Sequence, residues 1–237
     1  MKNFSFVLFV LFLLCPVCVT LGKTLPDQFN NKDVRGWIIL SDDMNAAVRT
    51  IKAAKEYDIN QLQLSHEIIH DLREIKTEKV CAQVNELVNM AHSEGINEVL
   101  LWDHSLYDID YYPERFRTGP GGTIDLDNLE FWEWLKDDYR QMLDRVSEAD
   151  GLVLTFIETG AYAERQFSKK MKSSEEKLAA VVNAISDVLI GERKKKLYIR
   201  TFAYSEEEYK GTTGCIEYLK YDEVILMMKE TPHDFFL

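Results

Sequence analysis

Short apolar runs alternate with longer amphipathic stretches along most of the chain. Residues rich in Val, Ile and Leu recur in runs of about seven, which is typical of buried strands. These runs predict strands at Val34–Leu40, Ile59–Ser65, Ile96–Trp102, Gly151–Ile157, Lys196–Phe202 and Glu223–Lys229. Helical spacing of apolar residues predicts helices over 43–57, 77–95, 129–149 and 174–192.

The alternation indicates a parallel sheet with helical crossovers, because no hairpin signal joins one strand to the next. A doubly wound open sheet and a (β/α)8 barrel both fit this pattern. No glycine-rich phosphate loop follows the first strand, which argues against a dinucleotide site. Since eight barrel units need about 250 residues, we predict an α/β fold of the (β/α)8 TIM-barrel type, truncated after about six βα units.

The first 22 residues have the pattern of a secretory signal peptide: one Lys, an apolar run, then small or polar residues. A lipoprotein reading through Cys15 or Cys18 is weaker, because no small residue precedes either cysteine. We therefore predict a secreted or periplasmic protein that does not span a membrane once the leader is removed. The remainder, 23–237, is predicted to be one partial barrel.

Composition and net charge limit the classes of molecule that the protein is expected to bind. The chain has 237 residues and a formal net charge of −12, and no basic patch is available to neutralise phosphates, so nucleic acid is not an expected partner. Cys81 and Cys215 follow the leader, and two free thiols are favoured over one disulfide. No Cys/His cluster has zinc-finger spacing, so neither a metal site nor a cofactor is expected.

Polar and charged residues follow every predicted strand, and in a parallel barrel they converge on one mouth. These residues are Asp42, Asp43, His66, Glu67, Asp103, His104, Glu158, Arg200, Tyr204, Lys229 and Asp234. The long loop from Ser105 to Asn128 belongs to the same end of the sheet. For Asp42 and Asp43, helix capping explains the sequence well; for Asp103 and His104, a functional and a local role remain open.

Glu158 and Arg200 are the strongest candidates for chemistry. Glu158 ends the apolar run "GLVLTFIETG", where we expect its carboxyl group to lose solvation, and a raised pKa would suit a general acid. A structural ion pair with an arginine is the alternative. Arg200 interrupts an apolar strand and needs an anionic partner, either a protein carboxylate or a substrate carboxylate.

Three segments resemble the catalytic barrel of α-glucuronidases of glycoside hydrolase family 67. They are "GLVLTFIETG", "LYIRTFAY" and "EVILMMKETPHDFF", in this order, and they cover the last third of the chain. The sequence departs from the family pattern at Thr159, at Ile199, at Glu230–Thr231 and at His233.

The resemblance implies roles for individual residues. Glu158 would be the general acid, and Asp234 one of two carboxylates that activate the attacking water in an inverting mechanism. Arg200 and Lys229 would bind the carboxylate of a uronic acid. The resemblance also implies that 23–237 is a glycoside hydrolase-like catalytic domain. Independently of the resemblance, their positions at strand ends make Tyr204, Asp103, His104 and Trp102 further candidate substrate-binding residues. The candidate aromatic platforms for a sugar are Trp102, Tyr107, Tyr111 and Tyr112.

Three hypotheses remain from the sequence. The first is a secreted glycoside hydrolase of α-glucuronidase type that acts on uronic-acid linkages in polysaccharide-derived oligosaccharides. The second is a barrel glycosidase for neutral sugars, with Arg200 paired inside the protein. The third is a non-catalytic carbohydrate-binding barrel fragment.

Overall fold

The computed structural model describes residues 34–41 and 43–228, in which strands and helices alternate. The strands are β1 Gly36–Ile39, β2 Gln61–Leu64, β3 Glu98–His104, β4 Gly151–Thr155, β5 Lys196–Arg200 and β6 Ile225–Met227. All six predicted strands are confirmed, and each observed end lies within two residues of its predicted position.

The strands form a single parallel sheet in the order β1-β2-β3-β4-β5-β6. Each strand pairs with the next one along the chain, for example Trp102 with Val153 across β3 and β4. A doubly wound sheet reverses its order at a switch point, so this order excludes that alternative for the described strands. The fold is therefore α/β with a six-stranded parallel sheet curled like half of a barrel. Closure into an eight-unit barrel stays a prediction.

Five helices flank the strands: α1 Met44–Ala54, α2 Glu78–Ser93, α3 Leu129–Arg145, α4 Ser174–Ser186 and α5 Glu206–Gly214. The first four are the predicted helices, and α4 continues as a π-helix over Asp187–Glu192. Capping explains several ends. The Asp43 side chain accepts from the backbone N–H of Asn45 at the start of α1, and Gly95, with φ of 88°, follows α2 in the left-handed conformation that glycine favours.

Helix α5 was missed because its residues carry no clear apolar stripe. A local signal was nevertheless present: Ser205 and Glu208 have the spacing of a capping box. The Ser205 hydroxyl accepts from the Glu208 backbone N–H, and the Glu208 carboxylate accepts from the Ser205 backbone N–H. The cap thus begins a helix that its apolar pattern does not predict.

The sheet has two faces of different character, because successive strand residues point to opposite sides. The outer face packs under the helices in the main core and is fully buried; its residues include Leu62, Leu64, Val99, Leu101, Leu152, Leu154, Leu197 and Ile199. On the inner face, a second and smaller cluster contains Leu100, Trp102, Val153 and Tyr198, with Met227 against it. The candidate site lies where this inner face meets the carboxyl ends of the strands.

Several predictions concern the remaining parts of the chain. Cys81 and Cys215 are free thiols, as favoured; Cys215 is buried and Cys81 is half-buried. Among the described residues, no helix is both long and apolar enough to cross a bilayer. The predicted signal peptide at 1–22, Asp42, Lys229 and Asp234 all lie outside the described residues.

Candidate functional site

Trp102 belongs to the apolar cluster of the inner face, and the side chains of Arg200 and His66 both pack against its ring. The Cζ atom of Arg200 lies 4.8 Å from the Trp102 ring centroid, and the His66 ring centroid lies 5.0 Å from it. The indole Nε1 donates to Gln63 Oε1 at 3.1 Å. Since Trp102 is only 4% exposed, it positions Arg200 and His66 rather than offering a free ring to a sugar.

Glu158 follows β4 at the same end of the sheet. The Tyr204 hydroxyl donates to Glu158 Oε1 at 2.5 Å, which links the loops that follow β4 and β5. Glu158 is exposed, so the expectation that its carboxyl group loses solvation is wrong. The reason is that the chain turns outward after Ile157, and Glu158 adopts a left-handed backbone with φ of 59°.

The loop that carries Glu158 is anchored on the loop that follows β3. The Thr159 hydroxyl donates to the Leu106 carbonyl oxygen. At Gly160, an added Cβ would lie 2.0 Å from Asp108 Oδ1 and 2.6 Å from Asp108 Cα, so only glycine permits this approach. These two contacts hold Glu158 in place.

His66 is a second non-glycine residue with a left-handed backbone, with φ of 53°. Its Nδ1 lies 2.5 Å from the Ser65 hydroxyl. Partial burial lowers the pKa of His66, the charges of His70 and Arg200 lower it further, and Glu158 acts in the opposite direction. His66, Arg200 and Glu158 therefore share one electrostatic environment. Uncommon backbone conformations of this kind cluster at functional sites.

A polar cluster on the loop after β2 adjoins this group. His104 Nδ1 lies 2.7 Å from Asp71 Oδ1, and Arg73 Nε donates to Asp71 Oδ2 at 3.0 Å. Burial raises the pKa of Asp71, but the hydrogen bond and charge of His104 and the charge of Arg73 outweigh it, so the pKa is lowered. Asp71 thus fixes the orientation of the His104 ring, as carboxylates commonly do for functional histidines.

A cavity of about 130 Å³ connects this cluster with the loop after β4. Its lining includes His70, Asp71, Tyr107, Asp108 and Glu158. Two residues of the loop after β2, His70 and Asp71, therefore line the same small cavity as Glu158.

Asp103 lies away from this site, although it precedes His104 directly. Its side chain is fully buried on the outer face. It accepts hydrogen bonds from the Leu72 backbone N–H at 2.9 Å, the Tyr107 hydroxyl at 2.9 Å and the Tyr139 hydroxyl at 2.6 Å. Burial raises the pKa of Asp103 to about 7. Asp103 therefore has a structural role and not the predicted contact with substrate. Its two carboxylate oxygens already accept hydrogen bonds from three donors of the protein.

The tyrosines of the long loop also pack inside the protein. Tyr107 and Tyr112 are buried, and Tyr111 donates to Asp138 and contacts Lys76. Their predicted role as sugar platforms does not fit these positions.

The structure thus brings six predicted residues to one end of the sheet: His66, Trp102, His104, Glu158, Arg200 and Tyr204. Sequence reasoning missed His70, Asp71 and Arg73, because they follow the end of β2 by several residues. The run "HEIIHD", in which His66 and His70 precede Asp71, was the available signal.

Comparisons with known proteins support the fold. The sequence matches no family model, and no curated protein matches it. The structure is similar to that of CpGH84D, with a TM-score of 0.52 and 11% identity over 83% of this chain and 31% of that chain. It is also similar to CpGH84B, with a TM-score of 0.55 and 14% identity over 83% of this chain and 33% of that chain.

The names of both neighbours denote glycoside hydrolases of family 84. At these identities the likeness shows the fold alone, and it does not support family 67 in particular. The chain spans about a third of the length of either neighbour.

Proposed function

We propose that the protein is a glycoside hydrolase whose active site lies at the carboxyl ends of β2 to β5. The observation that carries the proposal is that an exposed carboxyl group, Glu158, follows β4 at the end of the curled sheet where Arg200 and His66 pack against Trp102. Barrel enzymes build their active sites at this end. The glycoside hydrolase-like fold supports the same conclusion.

Each side chain has a role in this proposal. Glu158 transfers a proton to the leaving oxygen, and Tyr204 orients its carboxyl group through the hydrogen bond at 2.5 Å. Arg200 binds an anionic group of the substrate and is itself held against Trp102. His104 is buried and hydrogen-bonded to Asp71, so it supports the site from within the protein and does not itself contact the sugar.

The finer proposal is an exported enzyme of α-glucuronidase type that hydrolyses uronic-acid linkages with inversion. It adds Lys229 as a second cation for the uronic carboxylate and Asp234 as the base that activates water. An inverting pair requires a separation of roughly 6.5–9.5 Å between acid and base, enough for that water. Export depends on the predicted leader at 1–22.

The experiment compares Glu158→Gln with Glu164→Gln on chromogenic uronides and on neutral glycosides. Glu164 is a matched control, since it lies on the same loop but lines a separate cleft with Leu178, Ser205 and Gly211. Wild type and Glu164→Gln should hydrolyse uronides at similar rates. Glu158→Gln should lower kcat about 10²–10⁴-fold, the usual contribution of a general acid.

The other outcomes separate the alternatives. Hydrolysis of neutral glycosides alone would reject the uronide proposal and favour a neutral-sugar glycosidase. Oligosaccharide binding by calorimetry without any hydrolysis would reject catalysis and favour a carbohydrate-binding protein. Equal kcat values for Glu158→Gln and Glu164→Gln would show that Glu158 is not the general acid.

A further inference from the structure

Two histidines and an aspartate meet beside the proposed catalytic carboxyl group. His70 and Asp71 lie on the loop after β2, and His104 ends β3. One potential ligand atom from each residue lies within 4.8 Å of the others. The His70 and His104 rings stack with centroids 4.5 Å apart. A histidine that is only paired with a carboxylate needs one partner, whereas here potential ligand atoms of three residues lie close together.

The distances suit a small metal ion. Asp71 Oδ1 lies 2.7 Å from His104 Nδ1 and 3.5 Å from His70 Nδ1, so one carboxylate oxygen faces two imidazole nitrogens. Ligands bound tetrahedrally to zinc at about 2.0–2.2 Å lie about 3.3–3.5 Å apart. The separation of His70 and Asp71 already has this value. The separation of His104 and Asp71 is shorter, so the His104 ring would move away from Asp71 and give up its hydrogen bond to that carboxylate when an ion binds.

Neighbouring side chains bury two of the proposed ligands, Asp71 and His104, whereas the third, His70, remains accessible to solvent. Arg73 Nε binds Asp71 Oδ2 and leaves Oδ1 to face the histidines. The side chains of Asp71 and His104 are 9% and 5% exposed, whereas that of His70 is 50% exposed. Outer contacts of this kind orient metal ligands. The charge of Arg73 is shared with Asp108, at 3.0 Å, which limits its repulsion of a cation.

We propose that His70, Asp71 and His104 bind a divalent transition-metal ion of the zinc type. Two imidazoles with one carboxylate favour zinc over magnesium or calcium, which prefer oxygen ligands. Three protein ligands leave a coordination position open, beside the cavity that Glu158 also lines. The proposal goes beyond hydrolysis of glycosides and does not depend on it.

His92 and Asp150 form a second His–Asp pair, which serves as a comparison because it has no third potential ligand nearby among the described residues. His92 Nε2 lies 2.8 Å from Asp150 Oδ2, almost the same separation as in the pair of His104 and Asp71. Among the described residues, however, only His70, Asp71 and His104 form a group of three potential ligands. His92 is therefore a matched control with the same local chemistry.

The test is a titration of the chelator-treated, dialysed protein with Zn²⁺ by calorimetry, and with Co²⁺ by visible absorption. Wild type should bind one ion per chain, and Co²⁺ should give the intense visible bands of a four-coordinate site. His92→Ala should bind equally well. His70→Ala should bind at least about 100-fold more weakly, because even outer-shell substitutions cost about 10–100-fold.

A further variant tests whether metal binding can be lost without unfolding of the protein. Asp71→Asn keeps the size of the side chain but removes its charge, and it should also abolish the Co²⁺ spectrum while circular dichroism remains unchanged. Absence of binding to wild type would overturn the proposal. Equal binding by wild type, His70→Ala and Asp71→Asn would overturn it too. None of these measurements uses a glycoside, so failure here and failure of the proposed hydrolysis are distinguishable.

Discussion

The two faces of the sheet serve different purposes, although the same strands build both. Asp103 and His104 are neighbours on β3 and point to opposite sides. On the outer side, Asp103 is enclosed and accepts from three donors. On the inner side, His104 joins a cluster that includes the half-exposed His70. A titratable residue at a strand end therefore stabilises the fold or faces the site according to strand alternation.

The inner face itself changes along the strands. Near the amino ends, Glu98 accepts from Gln61 Nε2 at 2.8 Å and from the Tyr198 hydroxyl at 2.6 Å, and it pairs with Lys196. This network is closed within the protein. At the carboxyl ends, Glu158 and Tyr204 are exposed. The part of the inner face suited to ligands is thus its carboxyl edge.

The largest effect is expected at Asp103. Asp103→Ala removes the acceptor for Leu72, Tyr107 and Tyr139, and each buried donor left unsatisfied costs about 1–3 kcal/mol. We expect the free energy of unfolding, measured by urea denaturation, to fall by about 3–5 kcal/mol, with some relaxation of the donors. Asp103→Asn is the control and should cost less, because its oxygen still accepts. A loss below about 1 kcal/mol for Asp103→Ala would contradict the enclosed role.

The pH dependence of stability should carry the signature of Asp103. Burial raises its pKa in the folded state to about 7, against 3.8 for an ordinary aspartate. A raised folded-state pKa adds stability below the unfolded value, and this stability is lost as the pH rises through the folded value. The contribution of Asp103 should therefore decline between about pH 4 and pH 7. Asp103→Asn should remove that decline; identical pH profiles for the two proteins would rule it out.

Gly160 tests how the loop after β4 is held. Gly160→Ala places a Cβ 2.0 Å from Asp108 Oδ1, which forces the loop to shift and should cost about 1–3 kcal/mol, as overpacking does. Turnover should fall as well, because Glu158 moves. Gly211→Ala is the control: its nearest contact would be 3.4 Å, and alanine favours a helix by about 1 kcal/mol. Similar thermal unfolding of both variants would argue against the proposed anchor.

The smallest effect is expected in the closed inner network. Tyr198→Phe removes one hydrogen bond to Glu98, while Gln61 and Lys196 remain. The free energy of unfolding should fall by about 1–2 kcal/mol, without a change in turnover, because the network lies at the opposite end of the strands from Glu158. A large loss of turnover with unchanged stability would show that the two ends of the inner face are coupled.

The sequence predicted the architecture well because that architecture depends on local patterns. Apolar runs located all six strands, and helical spacing located four helices. Asp43 caps helix α1, as its sequence context predicted. Helix α5 depends on its capping box, and its weak apolar pattern left it unpredicted.

The site was less predictable, because it depends on direction and on contacts between distant residues. The sequence placed Asp103 and His104 together at a strand end but did not say which one faces inward. It also suggested a desolvated Glu158, whereas the turn after Ile157 exposes that residue. Asp71 joins the site through contacts such as the one with His104, which is 33 residues away along the chain.

The most direct test of the central claim is a crystal structure of the Glu158→Gln protein with a uronic-acid oligosaccharide. The sugar should lie at the carboxyl edge of the inner face, with its carboxylate on Arg200 and a glycosidic oxygen beside residue 158. A sugar bound instead in the cleft lined by Glu164, Leu178 and Gly211, with the inner face empty, would contradict the account.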